Sequence, residues 1–136
     1  MDHSTHDALA RSQLIDMTTT GRKTGQPRRI EIGLHSIDGR LYISGMPRAD
    51  HKRAWILNLE RDPRVTLSLK QTAHVEVPAT ARIIEDPVER RQVLELIAVR
   101  WGRTDVDVMA AHSPLIEVMV AGYPRGEGSD HADRAA

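Results

Sequence analysis

The chain has 136 residues, and its 19 Lys plus Arg balance its 19 Asp plus Glu, so it is formally neutral. That length suits a single domain with a real core, and neutrality argues against a nucleic-acid-binding domain, which is usually strongly basic. The absence of cysteine excludes disulfides, thiolate metal sites and thiol catalysis.

No apolar run approaches the roughly 20 residues that cross a bilayer. The polar start, Met1 to His6, lacks the basic-then-apolar pattern of a signal peptide. A cytoplasmic protein without an integral membrane segment is the expectation. Phe is absent and the only other aromatic residues are Trp55, Trp101, Tyr42 and Tyr123, so the core must come from aliphatic side chains.

In chain order, residues 5 to 17 read as a helix with Ala8, Leu9, Leu14 and Ile15 on its apolar side. A loop from Thr18 to Arg29 follows, carrying Arg22, Lys23, Arg28 and Arg29 with two glycines and no acid. Ile30, Ile32 and Leu34 then alternate with polar residues or glycine, the period of a half-buried strand. Asp38-Gly39 is a hairpin turn, because both residues tolerate positive φ, and Leu41 to Ser44 returns as a second strand.

Gly45 to Ala49 reads as loop. Asp50 is placed to cap a helix from His51 to Arg61 that buries Trp55, Ile56 and Leu59, and Asp62-Pro63 ends it. Val65, Leu67 and Leu69 mark a third strand. Val75 to Ile84 is a fourth, with Pro78 marking an edge or a bulge.

Asp86-Pro-Val-Glu89 is a capping box with Pro at the first helical position. The helix it opens carries Leu94, Ile97, Ala98 and Trp101 on one face, and Gly102 stops it. Asp105 to His112 supplies a further helical turn or two, and Leu115 to Val120 is a closing strand. The expected organisation is an N-terminal helical segment (1–17), a barrel domain (18–122) and a mobile, polar tail (123–136). Hairpin-linked strands and few helices favour an α+β fold, an antiparallel barrel with helices packed outside.

The basic loop is the main chemical signal. Arginine forks suit phosphates and carboxylates, and glycines let backbone approach a ligand. It is not a nucleotide-hydrolase phosphate loop, because Gln26-Pro27 stands where Lys-Ser/Thr is needed. From charge alone, a polyanion cradle and a solvated charged turn are equal readings.

A second basic group, Arg48, Lys52 and Arg53 with His51 among them, surrounds the start of the Trp55 helix, where free N–H groups already attract anions. The seven histidines show no metal-ligand spacing, so no metal site is expected. No self-sufficient catalytic set appears. An anion-binding entry without a catalytic set suits a protein whose cofactor does the chemistry.

The stretch Thr19-Thr-Gly-Arg-Lys-Thr-Gly-Gln-Pro-Arg28 resembles the signature of the deazaflavin-dependent nitroreductase family, split β-barrel oxidoreductases that use coenzyme F420. The likeness continues through Ala54 to Val65, which is similar to the family's Trp-x-x-Asn-Leu-x-x-x-Pro segment.

The resemblance implies a split-barrel fold, in which Arg22, Lys23 and Arg28 bind the phosphodiester and oligoglutamate tail of F420. Thr24, Gly25, Gln26 and Pro27 would shape that loop. Trp55 and Asn58 match positions near the cofactor, and the loop from Ser44 through Gly45 and Met46 to Arg48 would lie along the deazaflavin ring. Hydride would pass to a small-molecule enone, quinone or nitro compound.

Two departures stand out. The family commonly has Ser or Ala, then Lys or Asn, then two glycines after the second strand, where this chain has Ser44-Gly45-Met46-Pro47. Its nitroreductases carry tyrosines before the last strand, and Trp101 to His112 has none. The rival readings are FMN in place of F420, a non-catalytic carrier of a coenzyme or an anionic lipid, and a nucleic-acid-binding barrel. Tyr42, His112, Tyr123 and water are all open as proton donors, and so is a homodimer.

Overall fold

A computed structural model of the chain describes residues 1–50 and 52–126. The elements are α1 His3–Leu9, β1 Gln13–Thr20, β2 Pro27–Ile37, β3 Arg40–Ser44, α2 Ala54–Arg61, β4 Arg64–Ser68, β5 Glu76–Ile83, α3 Pro87–Trp101, α4 Val106–His112 and β6 Leu115–Met119. The strands close into an antiparallel barrel in the order β1-β2-β3-β6-β5-β4, with β4 pairing back onto β1. The α+β barrel expected from sequence is the fold observed.

Inward residues form one core. Ile15 and Met17 of β1 meet Leu34, Leu41, Ile43, Leu67, Ile116 and Val118 from the other strands, and Leu9, Trp55 and Leu59 cover the barrel from outside the sheet. A second cluster lies on the outer face, where Ile37, Tyr42 and Leu115 pack under Leu94, Ile97 and Met109 of α3 and α4. Strand β3 is buried along its whole length because it serves both cores, Leu41 and Ile43 facing in and Tyr42 facing out.

Several sequence expectations need correction. The helix over 5–17 does not form: α1 stops at Leu9 and β1 begins at Gln13. Residues 13–17 therefore belong to the barrel. Leu14 and Ile15 fit a helical stripe by spacing, but Ile15, Met17 and Thr19 are the buried side of an alternating strand.

The basic loop is shorter than expected, since Thr18–Thr20 and Pro27–Arg29 are ladder residues that pair across β1 and β2. It is the tip of a long hairpin. Helix α2 begins at Ala54 with Arg53 as its N-cap and no side-chain capping bond, so Asp50 does not cap it. The expected start at His51 lies outside the described residues.

Other signals hold. Asp38 and Gly39 have φ of 51° and 78° and join β2 to β3. Pro78 pairs with Thr66 of β4, while pairing with β6 begins only at Thr80, so one side of the strand is an edge at the proline. The Asp86 carboxylate accepts from the Glu89 N–H at 2.9 Å, and Gly102 closes α3 at φ 67°.

Part of the expected tail returns to the barrel. Tyr123 bridges to Val120, and the Gly126 N–H donates to the Gly39 carbonyl at 2.8 Å. Its mobility from residue 127 onward lies outside the described residues. Arg125 also reaches Glu117 of β6, which is fully buried and takes Arg82 at 2.7 Å from β5. These guanidiniums, with that of buried Arg40 at 3.9 Å, allow a carboxylate to be buried there.

Candidate functional site

The β1–β2 hairpin closes tightly at its tip. The Gly21 N–H donates to the Gln26 carbonyl and the Gly25 N–H to the Gly21 carbonyl, both at 2.8 Å. Gly25 takes φ 74°, a conformation that suits glycine. Thr24 Oγ1 accepts from the Gln26 N–H at 3.2 Å and from the Arg28 guanidinium at 3.4 Å, so it braces the turn and orients one cation.

Helix α2 fixes the turn from the other side. Asn58, buried, accepts the Arg22 N–H at 3.1 Å and donates to Thr19 Oγ1 at 3.0 Å. Thr19 is a residue of this arrangement that its position in a Thr-Thr-Thr run did not reveal. Its inward direction becomes visible only once β1 is read as a strand.

Between hairpin and helix lies a pocket of about 390 Å³. Arg22, Lys23, Thr24 and Arg28 line it on one side and Ala54, Trp55 and Asn58 on the other. Two motifs well separated in the sequence thus share one cavity. Gly25, Gln26 and Pro27 shape the turn and do not line this pocket; Gly25 and Pro27 instead border a neighbouring groove of Thr18, Thr20, Thr66 and Thr80.

The charge around the pocket is uneven. Arg29 also borders the pocket, but its guanidinium is paired with Asp16 at 3.0 Å. Lys70 also donates to Asp16 and, more than any other group, holds that carboxyl below its ordinary range. Arg64 is likewise matched, to Asp62 at 2.7 Å. Among the described residues, Arg22, Lys23 and Arg28 have no carboxylate within ion-pair distance. Three uncompensated cations beside an indole and two small residues make a cradle for an anionic chain attached to an apolar group.

Ser44, Gly45 and Met46 lie away from this pocket. Ser44 is buried and its hydroxyl donates to the Pro114 carbonyl at 2.6 Å. A Cβ on Gly45 would stand 3.2 Å from the Pro114 ring and 3.3 Å from the Arg53 guanidinium. Met46 is half exposed, and its carbonyl accepts from Arg53.

A second pocket, of about 470 Å³, opens beside this loop and includes Arg48, Arg53, His112 and Ser113. Of the residues open as proton donors, Tyr42 is sealed in the outer core and Tyr123 packs on His6 with ring centroids 4.9 Å apart. Only His112 lines either pocket.

Among the described residues no cluster of His, Asp or Glu could hold a metal ion, and no helix is long and apolar enough to cross a membrane. Fold and cradle together define a closed antiparallel barrel with a basic pocket between a hairpin tip and a helix. A family model described as F420H(2)-dependent quinone reductase matches residues 4–121, and the chain belongs to that family. It is an F420-dependent reductase, with coenzyme F420 as its cofactor.

Solved structures share the fold at low identity. A conserved hypothetical protein from Mycobacterium tuberculosis superposes with a TM-score of 0.66 at 23% identity, over 89% of this chain and 81% of that one. A protein described as an F420 reductase gives 0.62 at 17%, over 88% and 95%. An F420-H2 dependent reductase, FDR-A, gives 0.58 at 22%, over 78% and 93%.

Proposed function

We propose that the chain holds the anionic tail of reduced F420 in the hairpin pocket and reduces a small organic acceptor: an enone, a quinone or a nitro compound. The observation that carries this is the set of three cations, Arg22, Lys23 and Arg28, left without acidic partners around one cavity. The tail of F420, with a phosphodiester and glutamate carboxylates, is the complement of that charge. The coenzyme supplies a two-electron hydride donor, so the protein needs few reactive groups of its own.

Each residue then has a task. Arg22 and Arg28 offer forked donors and Lys23 a mobile point charge. Trp55 walls the pocket and would offer the bound coenzyme an apolar face. Asn58 and Thr24 keep the turn in shape. Ser44, with its hydroxyl committed to Pro114, contributes backbone, and Gly45 keeps the loop close to Pro114 and Arg53.

The test is a titration of the purified protein with F420 and FMN side by side, followed by stopped-flow oxidation of F420H2 against a panel of enones, quinones and nitro compounds. Tighter F420 binding with turnover supports the reading. Equal affinity for the two coenzymes would remove the role of the long tail. Tight F420 binding without turnover on any acceptor would make the protein a carrier.

A further inference from the structure

The hairpin tip borders a third pocket, of about 420 Å³. Gly21, Arg22 and Lys23 line both it and the hairpin pocket, so the tip is a crest between two cavities. Helix α2 serves both. Trp55 and Asn58 line the hairpin pocket, and Arg61, three residues further on, lines the third. Residues three apart share a helical face, and the steps from Trp55 to Arg61 span about 9 Å.

Asp62 is the acid that lines the third pocket, and it is spent on Arg64. The Arg64 guanidinium donates to its two carboxylate oxygens at 3.0 and 2.7 Å, and the Arg64 N–H donates to it at 3.1 Å. That side chain, and then that N–H, hold the Asp62 carboxyl down at about 2, so it stays charged and paired. Arg61 is different. It is exposed in the last turn of α2 and has no carboxylate within ion-pair distance among the described residues.

Arg61 therefore joins Arg22 and Lys23 in a run of unmatched cations that leads from one cavity into the next. A cation at a helix C-terminus also complements the carbonyl end of the helix. That accounts for an arginine on the last turn, but not for a cavity it shares with Arg22 and Lys23. A lone phosphate would fill one cavity and leave the other cations unmatched. A flexible chain with a carboxylate on every unit would engage both.

The geometry points to Arg61 as the residue that selects for the number of glutamates on the coenzyme. The phosphodiester and the first glutamate stay in the hairpin pocket, and later carboxylates cross the tip to reach Arg61. This inference rests on the tail-binding reading and adds a length preference to it.

The test titrates the whole protein at low salt with two forms of F420, one carrying a single glutamate and one carrying a long oligoglutamate tail, followed by fluorescence quenching. The long form should bind about three- to fivefold more tightly, and the preference should fade as salt is raised. Arg61→Ala should abolish the preference while leaving the single-glutamate form unaffected, and Arg61→Lys should keep most of it. Asp62→Asn removes a carboxylate beside the track and releases Arg64, so it should strengthen the long form alone.

Equal binding of the two forms by the native protein overturns the inference and leaves the cradle intact. So does Arg61→Ala that keeps the preference and only lowers the unfolding temperature, which would make Arg61 a helix-end cation. An equal loss for both forms in Arg61→Ala also overturns it, because Arg61 would then act on the coenzyme regardless of tail length. Failure of both forms to bind sinks the tail-binding reading itself, and this inference with it.

Discussion

Asn58 spends both ends of its amide on the basic turn, and this makes it a structural residue with a functional reach. Replacing it with Ala leaves the Arg22 N–H and the Thr19 hydroxyl without their partner in a buried place. Asn58→Ala should cost about 1–3 kcal/mol in urea unfolding. It should also weaken F420 binding, because Arg22 is no longer held beside the pocket. The cations themselves should behave differently. Lys23→Ala with Arg28→Ala should lower F420 affinity at least about tenfold, and the loss should shrink as salt is raised, in a fluorescence-quenching titration. Arg29→Ala is the internal control. Its charge is already matched by Asp16, so the loss should be much smaller. An equal loss from Arg29 would mean that binding reads net charge and not this cradle.

The turns between elements carry a second set of expectations. Gly39 and Gly102 both hold positive φ, at 78° and 67°. Around Gly102 there is open space, so Gly102→Ala should cost only the backbone strain, about 1 kcal/mol. A Cβ at Gly39 would stand 2.6 Å from the Gly126 Cα. Gly39→Ala should therefore cost clearly more and release residues 123–126, which a thermal melt and amide exchange at the Gly126 N–H would report. These turns were legible in the sequence because Asp-Gly and a glycine after an apolar helical stripe are chemically specific, as is the Asp86 box. Strand β1 was not legible. Its inward residues include Thr19, a polar side chain that can face the core only because Asn58, 39 positions later, satisfies it. The start of α2 misled for a related reason: Asp50 is a good cap by type, but it pairs with Arg48. The cradle was legible as two motifs. Their meeting around one pocket was implied only through the family resemblance, since it depends on how a helix crosses a hairpin tip.

At the scale of the whole molecule, stability should respond to pH through His35. This residue is 7% exposed, sits edge-on to Trp101 with ring centroids 5.5 Å apart, and leaves Nε2 without a partner. Burial, and then Arg100, push its pKa down to about 4. The folded value lies below the unfolded one near 6.5, so the unfolded chain binds the proton first. The contribution is intact above about pH 6.5 and is lost as pH falls toward 4, by on the order of 3 kcal/mol at most. His35→Phe should flatten denaturant-derived stability across that window. An unchanged slope would show that other groups set it. The order of strands has a different consequence, which concerns time. Strand β6 is the last strand in sequence among the described residues, yet it lies between β3 and β5. The units β1–β2–β3 and β4–β5 join through the β1–β4 ladder into one open sheet, whose edges β3 and β5 stay bare until residues 115–119 arrive. During synthesis those edges are bare while α3 and α4 emerge, and closure is a single late insertion that makes two ladders at once.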